Sequence, residues 1–126
     1  GMIPKTLLPK EDGGDGDPVD IIVIGPTEPR GSIVKCKIIG VLYLIDNFEQ
    51  DDKLIAISSK SNLENINSIA DLNNSYDGIS KILAIWFTNY KKGGNIELKG
   101  YGDRVNALDI LADSRNYYSD QQSLSP

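Results

Sequence analysis

The chain has 126 residues, with 13 Lys and Arg against 18 Asp and Glu and a formal net charge of −5. At 40% hydrophobic and 25% charged it suits one globular domain with a real core, able to bury roughly two thirds of its unfolded surface. The absence of His excludes Ser-His-Asp and Cys-His triads and histidine-held metals, the single Cys36 excludes an internal disulfide or multi-cysteine cluster, and the acidic balance argues against a duplex-nucleic-acid partner.

In chain order, residues 1–18 read as loop, punctuated by Pro4, Pro9 and Pro18 and by the small-residue run Asp12 to Asp17. Ile21 to Ile24 reads as a buried strand, stopped by Gly25-Pro26. From Ile33, Val34, Cys36 and Ile38 alternate with Lys35 and Lys37, the period of a half-buried strand; Gly40 is expected to bend it before Val41 to Ile45 continues. Lys53 to Ser58 gives another short strand. Ile79, Ile82, Leu83, Trp86 and Tyr90 fall at helical spacings, which predicts a helix over 76–90 closed by Gly93-Gly94. A strand over Asn95 to Lys99 follows. Asp103 is a good N-cap for a second helix to about Tyr118, whose apolar stripe is read as Val105, Leu108, Leu111, Ala112 and Arg115. Residues 119–126 are expected to form a disordered tail after a single domain over 1–118.

Strands first and helices last, without a βαβ alternation, imply an α+β or decorated-barrel arrangement. The longest apolar run, Ile38 to Ile45, is far shorter than the ~20 residues of a spanning helix, and the start Gly1-Met2-Ile3-Pro4-Lys5 lacks the pattern of a signal peptide. The expectation is a cytoplasmic chain without a membrane partner.

The chemistry concentrates in Asp15-Gly16-Asp17-Pro18-Val19-Asp20, three carboxylates in six residues. In an extended chain Asp15 and Asp17 share a face and Asp20 points away, so convergence needs a break that Gly16 and Pro18 can supply. Two carboxylates about 4 Å apart repel by about 1 kcal/mol in water and about 4 kcal/mol at an effective dielectric of 20, so a converged trio calls for a cation. Oxygen donors without His or Cys point to Mg²⁺, Mn²⁺ or Ca²⁺. An EF-hand loop fails on spacing: counted from Asp15, Asp20 stands where the loop needs Gly and Pro26 where it needs Glu. A solvated Asp/Gly turn is the competing explanation of the hexapeptide alone. Two further groups, the acidic hairpin loop Asp46 to Lys53 and the helix end Tyr90-Lys91-Lys92, add the cations and hydroxyl that phosphate chemistry uses beside carboxylate-held metal.

At these residues the chain resembles the soluble family I inorganic pyrophosphatases, whose signature is Asp-x-Asp-Pro-x-Asp followed by an apolar strand. The likeness continues through Gly31-Ser32-Ile33-Val34, Ile39-Gly40-Val41-Leu42, the Asp46 to Lys53 loop, Trp86 to Lys91 and Gly100-Tyr101-Gly102. The resemblance implies a mixed β-barrel of OB-like shape, the pyrophosphatase fold, with two flanking C-terminal helices. It implies hydrolysis of pyrophosphate to two phosphates with Mg²⁺, several ions per site, Mn²⁺ being a possible substitute. On matching positions it implies Asp15, Asp20 and Asp51 as ligands of the first metals, Asp46 as a ligand of metals that arrive with substrate, Asp17 as general base, and Lys53, Tyr90 and Lys91 as the grip on the phosphates.

Two departures accompany the likeness. Asn47 stands where many family members carry Glu. Family chains also carry a further N-terminal segment with barrel strands and phosphate-binding Lys and Arg, whereas this chain opens at Gly1-Met2-Ile3-Pro4, so the expectation is a truncated domain lacking the N-terminal strands. Exposed sheet edges then favour a homo-oligomer. Reduced or lost activity follows as an expectation, with a catalytically inactive metal- and phosphate-binding remnant as the alternative. A single-strand nucleic-acid barrel is disfavoured by the absence of a basic run.

Overall fold

A computed structural model describes residues 1–9, 16–76, 78, 79, 81–83, 85 and 96–123. Among the described residues the elements with continuous bounds are β1 (Asp20–Ile24), β2 (Cys36–Asp46), β3 (Glu49–Gln50), β4 (Lys53–Ser58), α1 (Ile69–Ser75), β5 (Ile96–Gly102) and α2 (Arg104–Ser123). The strands form one mixed sheet. β1 runs parallel to β4, and β2 runs antiparallel to β3, β4 and β5. Leu42 has register partners in both β4 and β5, so β2 is the central strand.

Alternation along β2 and β4 divides the core between the two sheet faces. Leu42, Leu44, Ile55 and Ile57 pack with Ile66 and Leu72 on one side, while Val41, Leu54 and Ala56 pack with Val19, Ile21 and Ala107 on the other. All six residues of β4 are buried, including Lys53. Each fully buried Leu or Ile contributes roughly 1.5–3 kcal/mol.

The expected bend in β2 is present. Ile38 pairs with Ala56 and Gly40 with Ile55, so Ile39 is an extra residue in a bulge. A Cβ on Gly40 would stand 2.5 Å from Ile69 Cγ1 and 2.9 Å from the Gly102 carbonyl oxygen, which explains why a side chain is missing there. The hairpin from β2 to β3 turns on Asn47 and Phe48, with φ of 51° and 71°. Positive φ at both central residues is the type I′ pattern, and Asn tolerates it well, so Asn47 has a backbone reason to be there.

Several expectations need correction. β1 is half-buried rather than buried: it lies at the sheet edge, only Ile21 is enclosed, and Val23 is exposed. The strand read from Ile33 begins at Cys36, and Ile33 is fully solvent-exposed. Within the helix expected over 76–90, residues 79, 81–83 and 85 are helical, but Ile82 is exposed; Trp86, Tyr90 and Gly93-Gly94 lie outside the described residues. β5 extends through Gly102 because its ladder with β2 continues past the glycines.

α2 differs most. Its buried face is Ala107, Ile110, Leu111 and Ser114, not the stripe through Val105, Leu108, Ala112 and Arg115, which is largely exposed. Small residues at 107 and 114 let the helix approach the sheet and the N-terminal loop closely; the Ser114 carbonyl accepts a hydrogen bond from Leu7 N at 3.1 Å. The helix also runs to Ser123, into the segment expected to be a disordered tail, because residues 119–123 contain no Gly or Pro to stop it. Asp103 does cap α2: its Oδ1 accepts from Asn106 N, and Asn106 Oδ1 accepts from Asp103 N, both at 3.1 Å. The short α1 was not foreseen; Ser68 caps it by accepting from Asp71 N at 3.0 Å.

Candidate metal and phosphate site

The parallel register of β1 and β4 pairs Asp20 with Lys53, which places both side chains on the face that carries Leu42. Asp51 lies two residues before Lys53 and therefore shares that face. The three meet: Lys53 Nζ is 3.1 Å from Asp20 Oδ2 and 3.2 Å from Asp51 Oδ2. A second contact to Asp51 Oδ1 at 3.4 Å makes that pairing two-pronged. Two carboxylates, one 48% and one 15% exposed, thus converge on an ammonium whose side chain is 8% exposed.

Burial pulls the Lys53 pKa down, but the charges and hydrogen bonds of Asp51 and Asp20 outweigh it, and the ammonium is held above its ordinary range. Asp52 lies on the opposite face. Gln50 Nε2 donates to Asp52 Oδ2 at 2.6 Å, and the two line a small cavity of about 140 Å³ with Leu8, Ile110 and Asp113. Burial, with the charge of Asp51, raises the Asp52 carboxyl above the usual range, and the Gln50 bond offsets part of that rise. Sequence reasoning passed over Asp52, although strand parity between Gln50 and Asp52 on one side and Asp51 and Lys53 on the other was the available signal.

Asp46 ends β2 on the face of Leu42 and Leu44, and Asp51 N donates to the Leu44 carbonyl at 2.9 Å, so the hairpin keeps Asp46 on the side of the contact group. Asp17 is exposed and within about 11 Å of Asp20 by chain length alone; its carbonyl accepts from Leu8 N at 2.9 Å. Direct contacts therefore join Asp20 and Asp51 to Lys53. Asp15, Tyr90 and Lys91 lie outside the described residues. Among the described residues no three acidic, His or Cys side chains gather closely enough to hold a metal ion. The donor set nevertheless fits a hard divalent cation: Asp20 and Asp51 offer only oxygens, and the position they flank is already taken by a positive charge.

The family model for inorganic pyrophosphatase matches residues 1–119. The chain belongs to the inorganic pyrophosphatase family.

It is 33% identical over 124 residues to an inorganic pyrophosphatase of Xylella fastidiosa, covering 95% of this chain and 67% of that protein. To an inorganic pyrophosphatase of Rickettsia prowazekii it is 34% identical over 116 residues, covering 88% of this chain and 64% of that protein. Its fold superposes with a TM-score of 0.84 and 30% identity on the crystal structure of type I inorganic pyrophosphatase from P falciparum, covering 98% of this chain and 45% of the other. The chain thus spans about two thirds of the length of these curated relatives. The mixed sheet with a C-terminal helix is the pyrophosphatase fold, and Asp20, Asp51 and Lys53 come together on its central face. Among the described residues no helix is long and apolar enough to cross a membrane.

Proposed function

We propose that this chain hydrolyses pyrophosphate to two phosphates with Mg²⁺. The observation that carries the reading is the convergence of Asp20 and Asp51 on Lys53 in a member of the pyrophosphatase family. Asp15, Asp20 and Asp51 would hold the first ions, and Asp46 those that accompany the substrate. When bound, a divalent cation, Mg²⁺ with Mn²⁺ as a substitute, neutralises phosphoryl oxygens and lowers the pKa of a bound water.

The side chains supply the rest. Asp17 accepts the proton of the attacking water; the water oxygen forms a bond to one phosphorus as the bridging P–O bond breaks, and the second phosphate leaves with that bridging oxygen. Lys53 neutralises Asp20 and Asp51 and, with Lys91 and the Tyr90 hydroxyl, binds phosphate oxygens and absorbs charge in the transition state. A cytoplasmic setting fits a chain whose single thiol is free. Pairing through the edge strand β5 would give a homo-oligomer, detectable by sedimentation; the outer margin of β1 is already bonded by Gly1 at Ile21.

The decisive measurement is release of phosphate from pyrophosphate in the presence of Mg²⁺. The expected result is turnover that Asp17→Asn lowers by about 10²-fold or more. Because the chain covers only part of its relatives' length, a second reading is a catalytically silent binder. Calorimetric binding of Mg²⁺ and pyrophosphate without phosphate release would establish that reading and exclude the first.

A further inference from the structure

The second half of α2 borders an open groove of about 610 Å³ lined by Lys5, Arg115, Tyr118, Ser119 and Gln122. Four of these residues fall at i, i+3, i+4 and i+7 of one helix and form a single stripe, which Lys5 faces from the N-terminal loop. Every one of the five side chains ends in an N–H or O–H donor, and none is a carboxylate, although the chain as a whole carries a net charge of −5. Lys5 and Arg115 are exposed, and neither makes an ion pair or side-chain hydrogen bond with a described residue.

The backbone fixes Lys5 in this position. Leu7 N donates to the Ser114 carbonyl at 3.1 Å, tying the loop to the helix one residue before Arg115. The buried Thr6 hydroxyl donates to the Ile3 carbonyl at 2.6 Å and accepts from Val19 N at 3.0 Å. Lys5 itself has a φ of 58°, a left-handed conformation that a lysine keeps only where its neighbours hold the chain.

We propose that this groove is a binding site for a phosphoryl oxyanion. The Arg115 fork can take two oxygens, the Lys5 ammonium supplies the second positive charge, and the Tyr118 and Ser119 hydroxyls and Gln122 amide can donate to the remaining oxygens. The several oxygens of a tetrahedral oxyanion can together engage such a donor set. The site is separate from the carboxylate–lysine group, because α2 packs on the sheet face of Val41, Leu54 and Ala56, whereas Lys53 shares the face of Leu42. It does not depend on pyrophosphate hydrolysis. The anion is either free phosphate or the phosphates of a nucleotide, whose base the Tyr118 ring could stack against.

The test is titration of ¹⁵N-labelled full chain with inorganic phosphate in EDTA, with ionic strength held constant by sodium chloride. Expected are saturable shifts of the Lys5, Arg115, Tyr118, Ser119 and Gln122 amides, weakened about fivefold by Lys5→Gln and by Arg115→Gln, as loss of a partly exposed charge-assisted contact predicts. Both positions are exposed, and the amide spectrum reports whether each variant is folded. Lys53→Gln should leave this binding unchanged. Shifts that fail to saturate, that survive both substitutions, or that centre on Lys53 and vanish in Lys53→Gln would overturn the proposal. A parallel titration with adenosine diphosphate separates the sources: tighter binding that Tyr118→Leu weakens assigns the groove to nucleotides, and equal affinity assigns it to free phosphate.

Discussion

Asp20 and Lys53 are register partners in the parallel β1–β4 pair, and their side chains meet at 3.1 Å. The ammonium also holds Asp51 at 3.2 Å, so it suppresses the repulsion between two carboxylates drawn to one point. Lys53→Met should therefore destabilise the metal-free protein by about 1–3 kcal/mol, less than for a fully buried pair because Asp20 is half exposed. Adding Mg²⁺ should recover more stability in Lys53→Met than in the parent chain. Calorimetric melting with and without Mg²⁺ checks both; an equal response of the two proteins to Mg²⁺ would count against a shared cation position.

Asp52 makes a pH prediction. Its folded pKa is raised, so its contribution to stability is present below the ordinary carboxyl value of 3.8 and is lost as pH rises through the raised value. Asp52→Asn keeps an oxygen to accept the Gln50 hydrogen bond without the buried charge. In metal-free protein it should be more stable than the parent chain at pH 7, with the difference shrinking as pH falls and gone by about pH 2.5, well below the ordinary carboxyl value. Urea unfolding at the two pH values measures this.

Gly40 is closed in by Ile69 and by the backbone of Gly102. The Ile69 side chain can give way, but the β5 carbonyl cannot move without disturbing its ladder to β2. Gly40→Ala should therefore cost about 1–3 kcal/mol, read as a lower denaturation midpoint with an unchanged slope. A neutral result would mean that β5 shifts freely against β2.

Burial raises the Cys36 pKa and leaves less thiolate at a given pH. Alkylation of the folded chain at pH 8 should be at least about tenfold slower than that of the same chain in urea. Equal rates would show that the thiol is open to solvent.

The strands and the last helix were legible where one local signal dominated. The run Lys53 to Ser58 is a strand with the expected bounds, the Gly40 bend is a bulge, and Asp103 does cap α2. Partner choice was not local. Nothing within Asp20 to Ile24 says that it lies parallel to Lys53–Ser58, yet that pairing alone joins Asp20 to Lys53. The α2 stripe was misread because apolar spacing counts large residues, whereas the sheet accepts small ones at Ala107 and Ser114 and leaves Val105 outside. Helix α1 escaped notice because seven residues with one buried side chain are too short for a periodic pattern, although Ser68 and Asp71 carried a capping signal. For the site, family motifs pointed to Asp20, Asp51 and Lys53 together, where composition and spacing left a solvated turn equally open.

Because β2 is hydrogen-bonded along both of its margins, detachment of either flank leaves half of its amide ladder closed to solvent. Exchange with deuterium around Val41 and Leu42 must then await cooperative melting of the whole sheet, while the outer strand β1 can peel away and reclose together with the N-terminal residues bonded to it at Ile21. Protection thus rises from the periphery to the middle of the sheet, so the Asp20 side of the carboxylate–lysine group can open while its Lys53 side stays in place.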